Sequence, residues 1–111
     1  MPRVSSVKEY FDTLPARFVT SASKGVNAVF QFNLPGDGGG TYHVEVSDGS
    51  MAVHEGPAAS PSATLQMNAQ DYIKMANGEL NGMMAFMSGS LKVTGNMMLA
   101  QKLQALFPQG V

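Results

Sequence analysis

An alternation of apolar and more polar residues over positions 27–34 constrains the fold of this chain more than any other feature. The apolar members of this alternation are Ala28, Phe30, Phe32 and Leu34. A period of two predicts a strand that buries one face of a sheet. A second alternating segment follows the glycine-rich loop at 36–40, and the pair Asp48-Gly49 then predicts a tight hairpin turn. Segments 50–56 and 63–67 are predicted as the third and fourth strands.

Helices are predicted on both sides of this strand region. Ser6 and Glu9 form a capping-box pattern, and Pro15 divides the first helical region into the segments 6–14 and 15–23 because proline disfavours helix for the residue before it. The remaining predicted elements are a helix after the N-cap residue Asn68, a short helix at 80–88, a strand at 90–94 and a final helix after the N-cap residue Asn96.

The order of these elements predicts an α+β fold in one domain, residues 1–111. The length of 111 residues suits one hydrophobic core. Five strands and about five helices predict a two-layer α/β arrangement, with a mostly antiparallel sheet covered by helices. Because hairpin signals join the successive strands, the first four are expected to form an antiparallel meander.

Composition excludes several classes of function. A net charge of −1 and a pI near 6.0 lack the basic surface that nucleic-acid binding requires. No cysteine is present, so neither a thiolate metal site nor a thiol nucleophile is available. The first residues are not a signal sequence, and no apolar run reaches the ~18 residues of a membrane span. We therefore expect a cytoplasmic protein.

Methionine is concentrated in the C-terminal half of the chain. Seven of the nine methionines lie between positions 67 and 98, and the flexible, polarizable thioether packs around irregular shapes. A methionine cluster ordinarily fills a core. However, segments 80–88 and 97–100 carry more apolar surface than one buried helix stripe needs, which favours the walls of an apolar cavity instead.

The two histidines, His43 and His54, are predicted on the polar face of their strands, close to Glu45. Imidazole and carboxylate groups can bind a metal or act as base and orienting group, but no third strong ligand is evident. We interpret these residues as exposed sheet polarity and expect no metal, no cofactor and no catalytic residues. An enzyme that uses them is the third hypothesis.

The segment from Phe86 to Leu103 resembles the sterol carrier protein 2 family. It has a Gly-x-Leu-Lys strand at 89–92, a Gly-Asn turn at 95–96 and an Ala-x-Lys-Leu helix at 100–103. The resemblance implies a five-stranded, mostly antiparallel sheet with a hydrophobic tunnel between it and the C-terminal helices. Tyr42, where family members often have tryptophan, and a C-terminus without a targeting tripeptide fit a stand-alone bacterial-type member.

The resemblance implies a non-enzymatic lipid carrier whose ligand is a fatty acid, an acyl-CoA, a sterol or a phospholipid. Carried over by position, the candidate ligand-binding residues are Phe32, Met75, Met83, Met84, Phe86, Met87, Met97, Met98, Leu99, Leu103 and Phe107. The alternative is a dimerisation or accessory interaction module without bound lipid. Transient membrane contact through the first helix and homodimerisation are secondary hypotheses.

Overall fold

The computed structural model describes residues 4–36 and 38–106 and begins with helix α1, Val7–Thr13. The hydroxyl of Ser6 accepts a hydrogen bond from the Glu9 amide at 3.1 Å, as the capping-box pattern predicts. The carboxylate of Glu9 reaches one residue further back and accepts from the Ser5 amide at 2.9 Å. The N-terminal start of α1 was therefore readable from the sequence.

The helix predicted over 15–23 is wrong. Two short 3₁₀ turns, Leu14–Arg17 and Thr20–Ser23, occupy this region, with extended backbone at Phe18 between them. Proline suits the first turn of a helix, and Pro15 is the second residue of the first of these turns. The half-buried Phe18 packs against the core, so tertiary packing ends the helical segment there.

Five strands form one mixed sheet in the order β3-β2-β1-β4-β5. They are β1 Asn27–Leu34, β2 Gly40–Ser47, β3 Ser50–Glu55, β4 Ala63–Gln66 and β5 Lys92–Gly95. The alternation of β1 is confirmed, because Ala28, Phe30, Phe32 and Leu34 are all buried. The β2–β3 turn has Asp48 at φ 35° and Gly49 at φ 93°, which is the conformation that an Asp-Gly hairpin favours.

The expected meander is wrong at β4. This strand does not pair with β3 but crosses over to pair in parallel with β1, so β3 is left at the edge of the sheet. Ser62 directs the crossover, since its amide donates to the Val29 carbonyl at 2.7 Å and its hydroxyl accepts from the Val29 amide at 3.1 Å. The other three ladders are antiparallel, which confirms a mostly antiparallel sheet.

Three further helices complete the α+β fold. They are α2 Ala69–Ala76, α3 Gly82–Ser88 and α4 Met97–Leu106. Asn68 caps α2 by accepting from the Gln70 amide at 2.9 Å, and Asn96 caps α4 by accepting from the Leu99 amide at 3.1 Å. Both N-caps were predicted. The described residues thus contain four α-helices and two 3₁₀ turns instead of about five helices.

Helices α1 and α2 cover the apolar face of the sheet through an aromatic cluster. Phe11 packs edge-on against Phe32 at a ring-centroid distance of 5.3 Å and stacks on Tyr42 at 4.3 Å. Tyr10 and Tyr72 meet at 5.1 Å, and the Tyr72 hydroxyl donates to the Tyr10 hydroxyl at 3.1 Å. This cluster fills the space between α1, α2 and the sheet.

The side chain of Asn77, at the end of α2, holds the segment that leads into α1. Its carbonyl oxygen accepts from the Val4 amide at 2.8 Å, and its amide group donates to the Val4 carbonyl at 2.9 Å. The two hydrogen bonds join residues that are 73 positions apart. They fix the α1–α2 layer to the start of the described chain.

Candidate functional site

Five of the predicted ligand-binding side chains are exposed on α3 and α4. Their exposed fractions are 68% for Met84, 43% for Phe86, 78% for Met87, 42% for Met97 and 79% for Met98. Large apolar side chains on a protein surface mark sites of ligand, membrane or protein contact when several occur together. We refer to these five residues as the exposed apolar set.

Helix α3 exposes Met84 and Met87 because a small residue, Ala85, attaches it to the core. Of the described side chains of α3, those at positions 84–88, only Ala85 is buried. The Ala85 carbonyl accepts from the amide of Leu91, which is also buried, at 3.0 Å. Met84 and Met87, three positions apart and therefore neighbours on the helix surface, remain accessible for contact with a ligand.

Helix α4 also contacts the core through one side chain and exposes the side chains of its first turn. Leu99 is half-buried against the core, and α4 lies against β4 and the 3₁₀ turn Thr20–Ser23. Met97 and Met98, in the first turn, are exposed. One predicted residue of this helix therefore packs against the core while two face outward.

The other predicted residues do not join the exposed apolar set. Phe32 and Met75 are buried in the core, where Phe32 contacts Phe11 and Tyr72. Met83 lies in α3 and Leu103 in α4, but their side chains lie outside the described part of the structure, as does the whole of Phe107. The structure thus divides the predicted residues between core and surface.

The hydroxyls near α3 have local hydrogen-bond partners. The hydroxyl of Ser88 donates to the Ala85 carbonyl at 3.1 Å and lies 3.2 Å from the hydroxyl of Ser90. A serine that bonds to the carbonyl three residues earlier is common within and at the end of a helix. The chemistry that this region offers is therefore apolar contact and the exclusion of water.

Three charged or titratable side chains lie close together on the polar face of the sheet, opposite the face that α1 and α2 cover. His43, Glu45 and His54 each offer one ligand atom within 4.8 Å of the others. The two imidazole rings are stacked at 4.9 Å. Their predicted position on the polar face, close to Glu45, is confirmed by the strand register and by the distances between them.

A shallow depression of about 420 Å³ lies where the β1–β2 loop meets β4. The residues that line it include Asn33, Pro35, Gly39, Thr41 and Gln66. None of the eleven predicted ligand-binding residues belongs to that lining. The depression is therefore separate from the exposed apolar set.

The five-stranded mixed sheet and the four α-helices of the described residues agree with one known family. Residues 11–108 match the family model described as the SCP-2 sterol transfer family. The chain belongs to the SCP-2 sterol transfer family. Membership in this family supports lipid binding or transfer as the class of function. The resemblance of the segment Phe86 to Leu103 is thereby confirmed.

Relatives of this SCP-2 domain include longer proteins. The chain is 36% identical over 109 residues to hydroxysteroid dehydrogenase-like protein 2 of Mus musculus, covering 97% of this chain and 22% of that protein. It is 37% identical over 108 residues to the Bos taurus protein of the same name, covering 96% and 26%. The SCP-2 chain therefore spans about a quarter of the length of the curated relatives that it matches.

Solved structures confirm the SCP-2 fold. Palmitated SCP2L2 from Aedes aegypti matches with a TM-score of 0.72 and 25% identity, covering 91% of this chain and 93% of that one. A sec-alkylsulfatase from Pseudomonas sp. matches with a TM-score of 0.76 and 17% identity, covering 92% of this chain and 16% of the enzyme. The second likeness concerns the fold alone.

Within residues 4–36 and 38–106, no helix combines the length and the hydropathy that a bilayer-crossing segment needs.

Proposed function

We propose that this domain binds and transfers a long-chain fatty acid and catalyses no reaction. The observation that carries the proposal is the exposed apolar set, Met84, Phe86, Met87, Met97 and Met98, in a chain whose aromatic residues in α1, β1 and α2 are buried. The relative that covers nearly the whole domain at 25% identity is palmitated, which favours an acyl chain over the other lipids of the class.

The free energy of binding would come from removing apolar surface from water. Each buried methylene of an acyl chain contributes about 0.8 kcal/mol, and a methionine side chain that becomes fully buried contributes about 1.5–3 kcal/mol. Association and ordering oppose this by about 4–15 kcal/mol. Several methionines must therefore contact the ligand together, and their flexible side chains suit acyl chains of different shape.

The proposed site places the acyl chain between the exposed apolar set and the core beneath it. Phe32 and Met75 would form the core wall, and Leu99 would border it from α4. Met83, Leu103 and Phe107 complete the proposed lining. A carboxylate head group would remain in water at the surface, since burying an unpaired charge costs several kcal/mol.

Paired substitutions in α3 test this proposal. The variant Met84→Ser/Met87→Ser removes apolar contact surface, whereas Met84→Leu/Met87→Leu keeps it at the same positions. We expect the serine variant to bind palmitate at least about tenfold more weakly, because losing about half of the burial energy of two methionines costs about 1.5–3 kcal/mol, and about 1.4 kcal/mol is tenfold in affinity. We expect the leucine variant to bind nearly as the wild type.

Displacement of a fluorescent fatty acid and native mass spectrometry give the measurement. Wild-type protein that takes up no fatty acid of any chain length would contradict the proposal. Equal affinity of the serine variant and the wild type would contradict the assignment of α3 to the site. Circular dichroism of each variant shows whether its fold is intact.

A second candidate function is an accessory interaction module that uses the same exposed helices. It is favoured by the relatives in which the matching region is only 22–26% of a longer chain. This candidate predicts a concentration-dependent dimer of the isolated chain that the Met84→Ser/Met87→Ser variant weakens. Light scattering across a wide range of protein concentration tests it, since the lipid-carrier proposal does not require a dimer.

Membrane contact through α1 and a cytoplasmic location stay predictions. The apolar residues of α1, Val7, Tyr10 and Phe11, are buried in the core. The exposed surface of α1 carries the Lys8–Asp12 ion pair at 2.9 Å. Membrane contact of α1 would therefore rely on its polar surface, which favours a core-packing role for this helix.

A further inference from the structure

Three potential metal ligands converge on the polar face of the sheet, on the side opposite Phe32. Nε2 of His43 and Nε2 of His54 each lie 3.8 Å from the same Glu45 carboxylate oxygen, Oε1. All three ligand atoms are within 4.8 Å of one another. Among the residues that the structure describes, this is the one group of three or more such side chains that could hold a metal ion.

The backbone of the β2–β3 hairpin determines this arrangement. His43 and His54 are directly paired across the two antiparallel strands, so their side chains leave the same face side by side. Glu45 is two positions along β2 and therefore also on that face. All three potential ligands lie on strands, which hold ligand geometry more precisely than loops do.

The His43 ring is oriented by a hydrogen bond on its other nitrogen. Nδ1 of His43 lies 2.9 Å from the Gly56 carbonyl oxygen. Because a carbonyl can only accept, Nδ1 carries the hydrogen, and a neutral His43 ring presents the lone pair of Nε2 toward Glu45. Metal-binding histidines typically have this second contact, which fixes the tautomer of the ring.

The loop after β3 places the Gly56 carbonyl. Gly56 has a φ of 104°, a conformation that residues with a side chain rarely adopt. Its amide donates to the Thr41 carbonyl on β2 at 2.7 Å. The contact that orients His43 is therefore part of the sheet structure.

The distances suit a small cation better than direct hydrogen bonds. A separation of 3.8 Å is too long for a hydrogen bond between Glu45 and either imidazole. Tetrahedral coordination with bonds of about 2.0–2.1 Å puts ligand atoms about 3.4 Å apart. Each pair with Glu45 would therefore contract by about 0.4 Å, and the two imidazole nitrogens, which lie within 4.8 Å of each other, would approach by up to about 1.4 Å. The side chains of His54 and Glu45 are 47% and 54% exposed, which leaves both free to turn toward a shared ion.

We propose that His43, Glu45 and His54 form a Zn²⁺ site on the polar face of the sheet. Two imidazoles and one carboxylate are a ligand set that Zn²⁺ accepts, with water at the fourth position. Ca²⁺ and Mg²⁺ prefer oxygen ligands alone. The site is independent of the fatty-acid site, because it lies on the other face of the sheet and uses none of the residues proposed there.

Titration calorimetry of the tag-free full chain with ZnCl₂ tests the site. The chain has two histidines and no cysteine, so uptake that depends on imidazole can only involve this pair. We expect one saturable Zn²⁺ per chain and at least about tenfold weaker binding in His54→Ala and in Glu45→Gln, since even second-layer contacts of metal ligands contribute 10- to 100-fold. MgCl₂ should produce no binding heat.

Glu55→Gln is the matched control. It removes the same charge from the residue next to His54, and by strand alternation Glu55 lies on the other face of β3. Zn²⁺ affinity should be unchanged in this variant. Absence of saturable Zn²⁺ binding in the wild type, or wild-type affinity in His54→Ala or Glu45→Gln, would overturn the proposal.

A spectroscopic measurement gives the second readout. The imidazole NMR signals of both histidines should move on addition of Zn²⁺ to the wild type, and signals that stay in place would contradict ligation. Palmitate affinity of His54→Ala should equal that of the wild type. This result separates a failure of the metal site from a failure of the proposed lipid function.

Discussion

The α1–α2 pair and the α3 and α4 helices use apolar residues in opposite ways. Helices α1 and α2 bury Val7, Tyr10, Phe11, Tyr72 and Met75. In α3 and α4, the described Met84, Phe86, Met87, Met97 and Met98 are exposed. The first pair therefore supplies stability, and the second presents apolar surface that the packed core does not use.

The chemistry of the side chains matches this difference. The α1–α2 layer packs through aromatic rings at defined edge-on and stacked geometries, which hold a single arrangement. The C-terminal helices present mainly methionine, which repacks at low energetic cost. A region that holds the fold benefits from rigid contacts, whereas a region that accepts a ligand of variable shape benefits from flexible ones.

The largest expected effect is a loss of stability in the aromatic cluster that α1 and α2 form with the sheet. Phe32→Ala removes a fully buried ring that contacts α1 and α2, and we expect the free energy of unfolding to fall by about 3–5 kcal/mol. Urea denaturation followed by circular dichroism measures it. A loss below about 1 kcal/mol would show that the aromatic cluster is not the centre of stability.

A smaller effect is expected at the connection between α2 and the N-terminal segment. Asn77→Ala removes both hydrogen bonds to Val4, and we expect a loss of about 2 kcal/mol at about 1 kcal/mol per bond. Asn96→Ala is the comparison in the other region, where one exposed cap bond to Leu99 is lost and about 1 kcal/mol is expected. Thermal or urea unfolding measures both variants. An equal loss of unfolding free energy in Asn77→Ala and Asn96→Ala would contradict the contrast between the two regions.

The loss of stability at alkaline pH tests Tyr42, which stacks on Phe11 in the aromatic cluster. The pKa of Tyr42 is raised above its ordinary value of 10.0, mainly because burial disfavours the phenolate and further because Glu55 is nearby. The folded state therefore keeps this proton more tightly than the unfolded state, so the stability contribution is intact below pH 10 and is lost as the pH rises through the folded pKa.

Tyr42→Phe should consequently lose less stability than the wild type on going from about pH 8 to above about pH 10. Comparison of urea midpoints for the two proteins at both pH values measures the difference. Identical alkaline losses would show that Tyr42 keeps its ordinary pKa in the folded protein.

The smallest effect on stability is expected for the exposed residues of α3 and α4. Met98→Ala removes a side chain that is 79% exposed, and we expect the free energy of unfolding to change by no more than about 0.5 kcal/mol. Urea denaturation beside Phe32→Ala measures both variants under the same conditions. A loss above about 2 kcal/mol would place Met98 in the core. It would contradict the difference between the buried apolar residues of α1 and α2 and the exposed ones of α3 and α4.

Local sequence signals predicted most elements because their physical causes are local. The alternation in β1, the Asp48-Gly49 turn and the caps at Ser6, Asn68 and Asn96 each depend on backbone geometry or on hydrogen bonds within a few residues. The parallel pairing of β4 with β1 could not be predicted in this way. It depends on contacts such as Ser62 with Val29, which lie 33 positions apart.

For the candidate sites, too, features with local causes were predicted and features that depend on distant contacts were not. The excess of methionine in α3 and α4 was visible in the sequence, and it pointed to the helices that carry the exposed apolar set. Which methionines face outward was not visible, because this depends on how Ala85, Leu91 and Leu99 attach the helices to the core. By contrast, the position of His43 and His54 on the polar face close to Glu45 was predicted, because the Asp48-Gly49 turn sets the pairing register of β2 with β3.

By itself, the sequence determined the strand and helix types, the caps, the hairpin turn and the family of this protein, since these depend on periodicity, on short-range hydrogen bonds and on motif order. The tertiary structure alone decided the position of β4, the two 3₁₀ turns in place of a helix, and the division of the predicted lining between core and surface. The physical reason is that each of these outcomes depends on which distant residues compete for the same buried space, and local propensity does not contain that information.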